Sequence, residues 1–297
     1  MSPEPLIYLN GEILEAEEAR VSPFDRGFLW GDGVYEITPC FDGKMFRLDD
    51  HLDRLYRSLR YVRIDPGVEQ EQMKLLTHSV LESNSNRLES GGMYRVGHWV
   101  TRGVDTNSMS ASAAGPSTIM IYLRKVDVAT IAKNQKTGIK LSVTSTRRNP
   151  PICIEARAKV TSKMNQILAE LDAASSDSLS LMLDIYGNVA ENSVANFFIV
   201  RDGTVMTPPE GNILEGVTRK VVFELCDQLD IPLLEQNFTM YDVAQADECF
   251  LTSSAICAMP VREIDSFQPK GSLPGPITSH LINAFAAETG FDFSKSI

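Results

Sequence analysis

The chain has 297 residues, of which 43% are hydrophobic and 23% charged, a composition that suits a globular protein of two modest domains. Its formal net charge of −11 argues against nucleic acid or an anionic membrane as a partner, because no basic stripe is present to neutralise phosphates. The N-terminal segment lacks a signal-peptide pattern, and no apolar run approaches the ~20 residues of a membrane span. We therefore expect a cytoplasmic protein.

The five cysteines and four histidines lack the spacing of a metal site. The odd number of cysteines and the absence of Cys-x-x-Cys pairs favour buried, reduced thiols. We expect no bound metal.

The first part of the chain predicts a small α+β domain over residues 1–125. Asn10-Gly11 and Asp42-Gly43 each separate short apolar runs, which is typical of β-hairpins. An amphipathic helix is predicted over 49–63, with Asp49 or Asp50 as its N-cap. Two strands, over 92–103 and 117–126, flank a loop rich in small residues.

Residues 126–137 predict an interdomain linker, and residues 138–297 a larger domain. Within the larger domain, the predicted helix 157–174 presents an apolar face formed by Met164, Ile167, Leu168 and Leu171. Further predicted elements are a strand over 138–146, a strand over 178–187, an Asp202-Gly203 hairpin, a helix over 216–229, a strand over 247–255 and a helix over 278–288. The chain is therefore predicted to have a mixed α/β (α+β), two-domain fold with its active site where the domains meet.

Lys159 stands just before the helix with the predicted apolar face, so its stem would begin near buried surface. A lysine amine attacks an aldehyde only when it is neutral, which desolvation or nearby cations favour. Lys163, one turn later, is a competitor, and a solvated surface position is the commoner situation for either lysine.

Glu191 lies between two predicted strands. A carboxylate at this point is either an exposed turn residue or a group aimed at a pyridine nitrogen, which it would keep protonated. The segment EGVTRKVV indicates either a capped helix or an anion-binding helix start, with Gly216 allowing close approach to the amides of Val217 and Thr218. Arg54 offers a fixed cation, and Thr252, Ser253 and Ser254 offer hydroxyl groups.

The order of these residues, together with DRGFLWGDGVYE, FRLDDHLDRL, ENSVANFFIVRDGTVMTP and ILEGVTR, closely resembles class IV (fold type IV) pyridoxal-phosphate-dependent aminotransferases. The motifs are close to those of branched-chain, D-amino-acid and (R)-selective amine transaminases, and the resemblance covers nearly the whole chain. It implies a homodimer whose cofactor is pyridoxal 5'-phosphate.

The resemblance also implies a role for each site residue. Lys159 would form the Schiff base and move the proton between substrate and cofactor, and Glu191 would pair with the pyridinium nitrogen. Arg54, the main chain of Val217 and Thr218, and the Ser254 hydroxyl would hold the phosphate, while Leu214 would pack against the ring.

Three departures from the family pattern stand out. Met164 occupies the position of a common tyrosine, so the hydrogen bond to the cofactor's phenolic oxygen must come from elsewhere. Asn192 replaces the usual glycine after the glutamate. The Arg-x-His carboxylate trap of D-amino-acid transaminases is missing after Thr101-Arg102-Gly103.

Candidate substrate-binding residues are Trp30, Tyr35, Glu36, Arg95, His98 and Ala255. Alternate residues of facing strands could point at a ligand, although cross-strand packing is an equal alternative. The predicted reaction moves an amino group from an amino acid or primary amine to a 2-oxo acid, with a hydrophobic side chain and branched-chain chemistry favoured over D-amino-acid or (R)-amine chemistry. A lyase of the aminodeoxychorismate type and a cofactor-free binding relative are the remaining alternatives.

Overall fold

The computed structural model describes residues 4–108, 110–174 and 177–296. The chain forms two compact units. The first contains Met1–Val126 together with Ala158–Lys163, and the second contains Asp127–Arg157 together with Met164–Ile297. Among the described residues, no helix combines the length and apolarity that crossing a bilayer requires.

The first unit is built on a six-stranded sheet of order β2-β1-β6-β5-β3-β4, in which every neighbouring pair is antiparallel. Its strands are β1 Ile7–Leu9, β2 Glu12–Leu14, β3 Gly33–Phe41, β4 Lys44–Met45, β5 Met93–Thr101 and β6 Thr118–Lys125. Its helices are α1 Arg26–Trp30, α2 Leu48–Val62 and α3 Gln70–Ser83. Helices α2 and α3 pack against each other and against the sheet, α2 on β3 and α3 on β6.

Both hairpins predicted in this unit are confirmed. Asn10 and Gly11 adopt φ values of 51° and 105° and join β1 to β2, while Asp42 and Gly43, at 46° and 75°, join β3 to β4. Asparagine, aspartate and glycine tolerate positive φ better than other residues, which explains why these dipeptides identify the turns.

Helix α2 is confirmed, but its predicted N-cap is wrong. Arg47 occupies the N-cap position with φ 56° and no side-chain capping bond, and both Asp49 and Asp50 lie in the first turn. Acidic side chains are favourable there because the helix N-terminus carries partial positive charge. Leu52, Leu55 and Leu59 are buried in the core between α2, α3 and the sheet, as the helical spacing predicts.

The second unit contains a seven-stranded sheet of order β11-β10-β9-β12-β13-β7-β8. Its strands are β7 Ile139–Val143, β8 Leu179–Leu181, β9 Asn196–Arg201, β10 Thr204–Thr207, β11 Leu233–Glu235, β12 Glu248–Ser253 and β13 Ile256–Ile264. Its helices are α4 Val128–Thr137, α5 Met164–Ala174, α6 Val217–Gln228, α7 Met240–Val243 and α8 Pro276–Thr289. The Asp202-Gly203 hairpin between β9 and β10 is confirmed.

Two expectations for this unit are wrong. The predicted linker 126–137 is largely helix α4, capped by the Asp127 side chain and packed on β13. Helix α5 begins at Met164 rather than near Arg157, and its predicted core-facing side is exposed, with Met164 64% and Leu171 65% accessible. The buried residues of α5 are instead Ala169 and Ala173, which allow the helix to lie close to β8.

Candidate active site

The main chain of Lys159 is anchored on both sides within the first unit. Its amide donates a hydrogen bond of 3.0 Å to the hydroxyl of Ser58 on α2, and its carbonyl accepts one of 3.0 Å from the amide of Tyr35 on β3. The next residue, Val160, forms an isolated antiparallel bridge with Val34. The Cα of Lys159 is therefore held against β3 by bonds from two different elements.

The side chain of Lys159 extends over the ring of Tyr35, with Nζ 4.6 Å from the ring centroid. The Nζ of Lys163 lies 5.8 Å from the same centroid. Both lysines thus approach one aromatic ring. Met164 has its side chain largely exposed at the start of α5.

Arg54 forms a buried ion pair with Glu36. The Nε and Nη2 atoms of Arg54 donate to the two carboxylate oxygens at 2.8 and 2.7 Å, and His51 Nδ1 lies 3.0 Å from one of them. Burial opposes ionisation of Glu36, but Arg54 and then His51 hold the pKa of its carboxyl well below the usual value. Burial lowers the pKa of His51 against the opposing effect of Glu36, so its imidazole is neutral at neutral pH.

Strand alternation separates the predicted substrate residues into two groups. Tyr35 pairs with Trp99, and the adjacent Glu36 pairs with His98, so the two pairs point to opposite faces of the sheet. Glu36 and His98 are fully buried on the helix-covered face, where His98 Nε2 lies 2.8 Å from the hydroxyl of Thr77. Both side chains therefore lie on the opposite face of the sheet from Tyr35, and their role in binding substrate stays a prediction.

The opposite face of the sheet carries a row of aromatic rings. The Tyr35 and Trp99 rings are 4.7 Å apart and tilted by 31°, and the Trp99 and Tyr122 rings are 5.5 Å apart and tilted by 40°. A Cβ atom added to Gly97 would lie 2.5 Å from Tyr122 Cζ, so this glycine makes room for the Tyr122 ring. Trp99 and Tyr122 are not among the predicted residues, although both follow from the alternation that identifies Tyr35.

Two arginines lie beyond this row. Arg95 and Arg124 are directly opposite each other on β5 and β6, and both are exposed. Burial raises the pKa of Tyr122, while Arg124 and Arg95 lower it in part, so both guanidinium groups are near its ring. Within the described residues, neither arginine has a carboxylate partner.

The remaining predicted substrate residue of this unit, Trp30, is 53% exposed at the end of α1 and donates to Asp105 at 3.3 Å.

In the second unit, Glu191 is buried and its carboxylate accepts three hydrogen bonds. Arg148 Nε donates to Oε1 at 2.9 Å, and the amide of Leu214 and the side chain of Asn196 donate to Oε2 at 3.0 and 3.2 Å. Asn196 also donates to the Leu214 carbonyl at 2.9 Å, so Glu191 and Leu214 are held in a fixed relation. The structure thus brings Leu214 and Glu191 together and adds Arg148 and Asn196.

The loop that carries Glu191 is fixed by its neighbours. The side chain of Asn192 donates to the main-chain carbonyl of Ser180 at 2.7 Å and approaches Glu170 at 3.2 Å. The Ser180 hydroxyl donates to the same Glu170 carboxylate at 2.6 Å, and the Ser193 hydroxyl does so as well. Asn192, which stands where the family usually has glycine, is therefore part of a polar network.

The predicted anion-binding residues of the second unit also meet. Helix α6 starts at Val217, and its N-cap Gly216 supplies no side-chain capping bond. The hydroxyl of Thr218 donates to the carbonyl of Ser253 at 3.0 Å, which joins this helix start to the turn that contains Ser254. The adjacent Ala255 is buried.

The residues that sequence reasoning missed are mostly supporting groups. Arg148 lies in the predicted turn RRNPP, and Ser58 lies within the predicted helix α2; neither has a local pattern that indicates a partner. Asn196 opens the strand NFFIVR, where an asparagine before four buried apolar residues is a usable signal. Among the residues that the structure describes, no cluster of three or more metal-ligating side chains is present.

Comparison with known proteins identifies the family. The model of the amino-transferase class IV family matches residues 33–264. The chain is 35% identical over 283 residues to a putative branched-chain-amino-acid aminotransferase of Methanocaldococcus jannaschii, covering 94% of each protein. It is 29% identical to the D-alanine aminotransferase of Staphylococcus haemolyticus, covering 94% of this chain and 96% of that protein.

A solved structure supports the same assignment. The T.th. branched-chain amino acid aminotransferase with pyridoxamine 5'-phosphate superposes with a TM-score of 0.86 and 25% identity, covering 98% of this chain and 96% of that one. The chain belongs to the class IV aminotransferases, with the mixed α/β architecture of fold type IV. It is therefore a transaminase that uses pyridoxal phosphate.

Proposed function

We propose that Lys159 is the Schiff-base lysine of this aminotransferase and that Glu191 faces the pyridine nitrogen of the cofactor. Arg54, the amides of Val217 and Thr218, and the Ser254 hydroxyl would bind the phosphate, and Leu214 would pack against the ring. These assignments follow the family pattern position by position.

The observation that carries this proposal is the hydrogen bonding of Glu191. A carboxylate offers about four lone-pair positions, and Arg148, Asn196 and Leu214 occupy three of them. One acceptor position is left for a ring N–H, and the three donors prevent the carboxylate from turning away. This arrangement suits a carboxylate that must hold a protonated pyridine. The start of α6, which has no side-chain cap, suits a bound dianion.

The bound cofactor supplies an electron sink for the bond that breaks at the substrate's α-carbon. The chain's own residues do the remaining work. Lys159, with its main chain anchored by Ser58 and Tyr35, presents its amine over the Tyr35 ring and carries the proton at Nζ. Glu191 holds the proton at the ring nitrogen, and Arg54 supplies positive charge without changing protonation state.

Reductive labelling tests the assignment of Lys159. The protein with pyridoxal phosphate should be yellow, and borohydride should remove the visible band and leave a stable adduct on Lys159. The matched control is Lys163→Ala, which should keep the adduct, whereas Lys159→Ala should lose it. An adduct on Lys163 in the unmutated protein would show that the assignment is wrong.

We further propose a hydrophobic amino acid of branched-chain type as one substrate, with a D-amino acid as the alternative. The aromatic row Tyr35, Trp99 and Tyr122 supports an apolar side-chain site, and the relatives include both a branched-chain and a D-alanine enzyme. The paired Arg95 and Arg124 support binding of a carboxylate at the far end of the row, because like charges directly opposite each other in a sheet favour an anion between them.

A half-reaction scan separates these alternatives. The cofactor's absorbance should change fastest with L-leucine, more slowly with D-alanine, and slowly with (R)-1-phenylethylamine. D-Alanine as the fastest donor would favour the D-amino-acid branch. Recovery of the starting spectrum with release of pyruvate from an aminodeoxychorismate-type substrate would instead identify a lyase.

We also propose that the enzyme is a homodimer, with the exposed side of α5 covered by the second copy. Met164, Ile167, Leu168 and Leu171 are each at least 46% exposed and form one apolar stripe, larger than the isolated apolar residues usual on a monomer surface. Leu171→Lys should yield monomers in light scattering, whereas Leu75→Lys, at an exposed site of α3, should leave the dimer intact. A dimer that survives Leu171→Lys would contradict this interface.

A further inference from the structure

Ser58 bonds to the main chain of two proposed active-site residues at once. Its hydroxyl donates to the carbonyl of Arg54 at 2.9 Å and accepts from the amide of Lys159 at 3.0 Å. The side chain is 1% exposed, so water does not compete for either bond. A serine hydroxyl has one donor and two acceptor positions, and Ser58 acts here as both donor and acceptor.

The bond from Ser58 to the Arg54 carbonyl is of a common kind, whereas the bond from the Lys159 amide to Ser58 is not. Serine within a helix often donates to the carbonyl four residues earlier, which fixes its rotamer without needing any partner outside the helix. The amide of Lys159 is 101 residues away along the chain. The local bond therefore aims the oxygen lone pairs of Ser58 at one external donor, and that donor is the amide of the proposed Schiff-base lysine.

We infer that Ser58 is a positioning residue for Lys159. The inference rests on the function proposed above, because it assigns Ser58 no contact with cofactor or substrate. Lys159 has one main-chain donor and one main-chain acceptor, and Ser58 and Tyr35 hold one each. Since Tyr35 follows Val34, which pairs with Val160, the carbonyl side has a second attachment. The amide side depends on Ser58.

Loss of the Ser58 hydroxyl should free the N-terminal side of Lys159 while β3 still holds its C-terminal side. The lysine Cα could then rotate, and the amine would spend less time at the position from which it attacks an aldehyde. The ion pair of Arg54 with Glu36 uses side-chain atoms only, so it should persist. The defect should therefore appear in bond formation with the cofactor and not in binding of its phosphate.

The first experiment uses the protein without cofactor. In Ser58→Ala, hydrogen exchange at the Lys159 amide, measured by residue-resolved mass spectrometry and normalised to global unfolding, should be about tenfold faster than in the unmutated protein. Ser58→Thr keeps the hydroxyl and should restore slow exchange. Where alanine or threonine prevents folding, Ser58→Cys gives a side chain of similar size with a much weaker acceptor and should resemble alanine.

The second experiment adds the cofactor. Stopped-flow absorbance should show imine formation with pyridoxal phosphate slowed about tenfold in Ser58→Ala, while the dissociation constant for pyridoxine 5'-phosphate, which has no aldehyde, should stay within about twofold. The matched control is Thr77→Val on α3. Thr77 also has a buried hydroxyl that donates to the carbonyl four residues earlier, at 2.7 Å, but its second partner is His98. Thr77→Val should lower stability without slowing imine formation.

The outcomes are distinct. Normal imine formation in Ser58→Ala, or equal slowing in Thr77→Val, would overturn the positioning role and leave the proposed function standing. An unmutated protein that forms no imine would overturn the proposed function and the positioning role with it. Fast exchange and slow imine formation in Ser58→Ala alone, both restored in Ser58→Thr, would support the inference.

Discussion

The guanidinium of Arg54 and the carboxylate of Glu36 form a two-bond ion pair inside the first unit, with both side chains almost fully buried. The pair joins α2 to β3, the strand that also holds the Lys159 carbonyl. A buried charge that loses its partner is costly, whereas loss of both charges together costs less. This asymmetry gives the pair a measurable signature.

Single substitutions of this pair should be strongly destabilising. Glu36→Gln or Arg54→Gln should each lower the free energy of unfolding by about 3–5 kcal/mol, because each leaves a buried charge without its partner. The double variant should be less destabilised than the sum of the two. Urea denaturation of the four proteins in a double-mutant cycle measures this coupling, and simple additivity would show that the pair contributes nothing specific.

Acid should weaken the first unit through His98. Burial lowers the pKa of His98 to about 4, against an ordinary value of 6.5, so the unfolded chain takes up a proton at a higher pH than the folded one. The contribution of neutral His98 to the free energy of unfolding is thus present above pH 6.5 and is lost as the pH falls toward 4. Its loss between about pH 7 and about pH 5 should be about 2 kcal/mol.

Urea denaturation at about pH 7 and about pH 5 provides the measurement. His98→Gln should show a smaller pH dependence than the unmutated protein. His51, whose pKa burial also lowers, is unchanged in this variant and accounts for the residual slope. An identical slope in both proteins would mean that His98 is not the group responsible.

Gly97→Ala should disturb the aromatic row. The new methyl group would lie 2.5 Å from Tyr122 Cζ and 2.8 Å from its hydroxyl, so the Tyr122 ring must move away from Gly97. We expect a KM for the amino-acid substrate raised about tenfold and a stability loss of about 1–3 kcal/mol. Gly115→Ala is the control, since its Cβ would lie no closer than 3.7 Å to any atom. Unchanged steady-state kinetics in Gly97→Ala would remove Tyr122 from the substrate site.

Asn192→Gly restores the residue that is usual in relatives and should nonetheless weaken this protein. It removes the 2.7 Å bond to Ser180 and the contact with Glu170, and it loosens the backbone next to Glu191. The free energy of unfolding should fall by about 1–3 kcal/mol, with a lower kcat. Asn192→Ala separates the two causes, because it loses the bonds but keeps the backbone restricted. A glycine variant as stable as the unmutated protein would show that the network is dispensable.

Local chemistry explains what could be predicted from the sequence. Asn10-Gly11, Asp42-Gly43 and Asp202-Gly203 require positive φ, and the leucines of α2 follow a helical period that is visible without a structure. The family resemblance adds the cofactor and the candidate residues. These inferences depend on neighbours in sequence or on motifs.

Tertiary packing explains what could not be predicted from the sequence. Alternation shows that Tyr35 and Glu36 point to opposite faces of β3, but not which face the helices cover, and so the sequence alone does not exclude His98 from the substrate side. The apolar stripe of α5 predicts a core-facing side, but the small side chains of Ala169 and Ala173 allow the closer approach to the sheet. The amide of Lys159 and the hydroxyl of Ser58 are too far apart in sequence for any local pattern to connect them.

The membership of Ala158–Lys163 in the first unit limits how this enzyme can be recombined with its relatives. A gene divided near residue 126 would assign Lys159 to the parent that supplies the second unit, while Ser58, Tyr35 and Val34 would come from the other parent. Chimeras that exchange whole units need three junctions, near residues 126, 157 and 163, to inherit the lysine together with the elements that hold it.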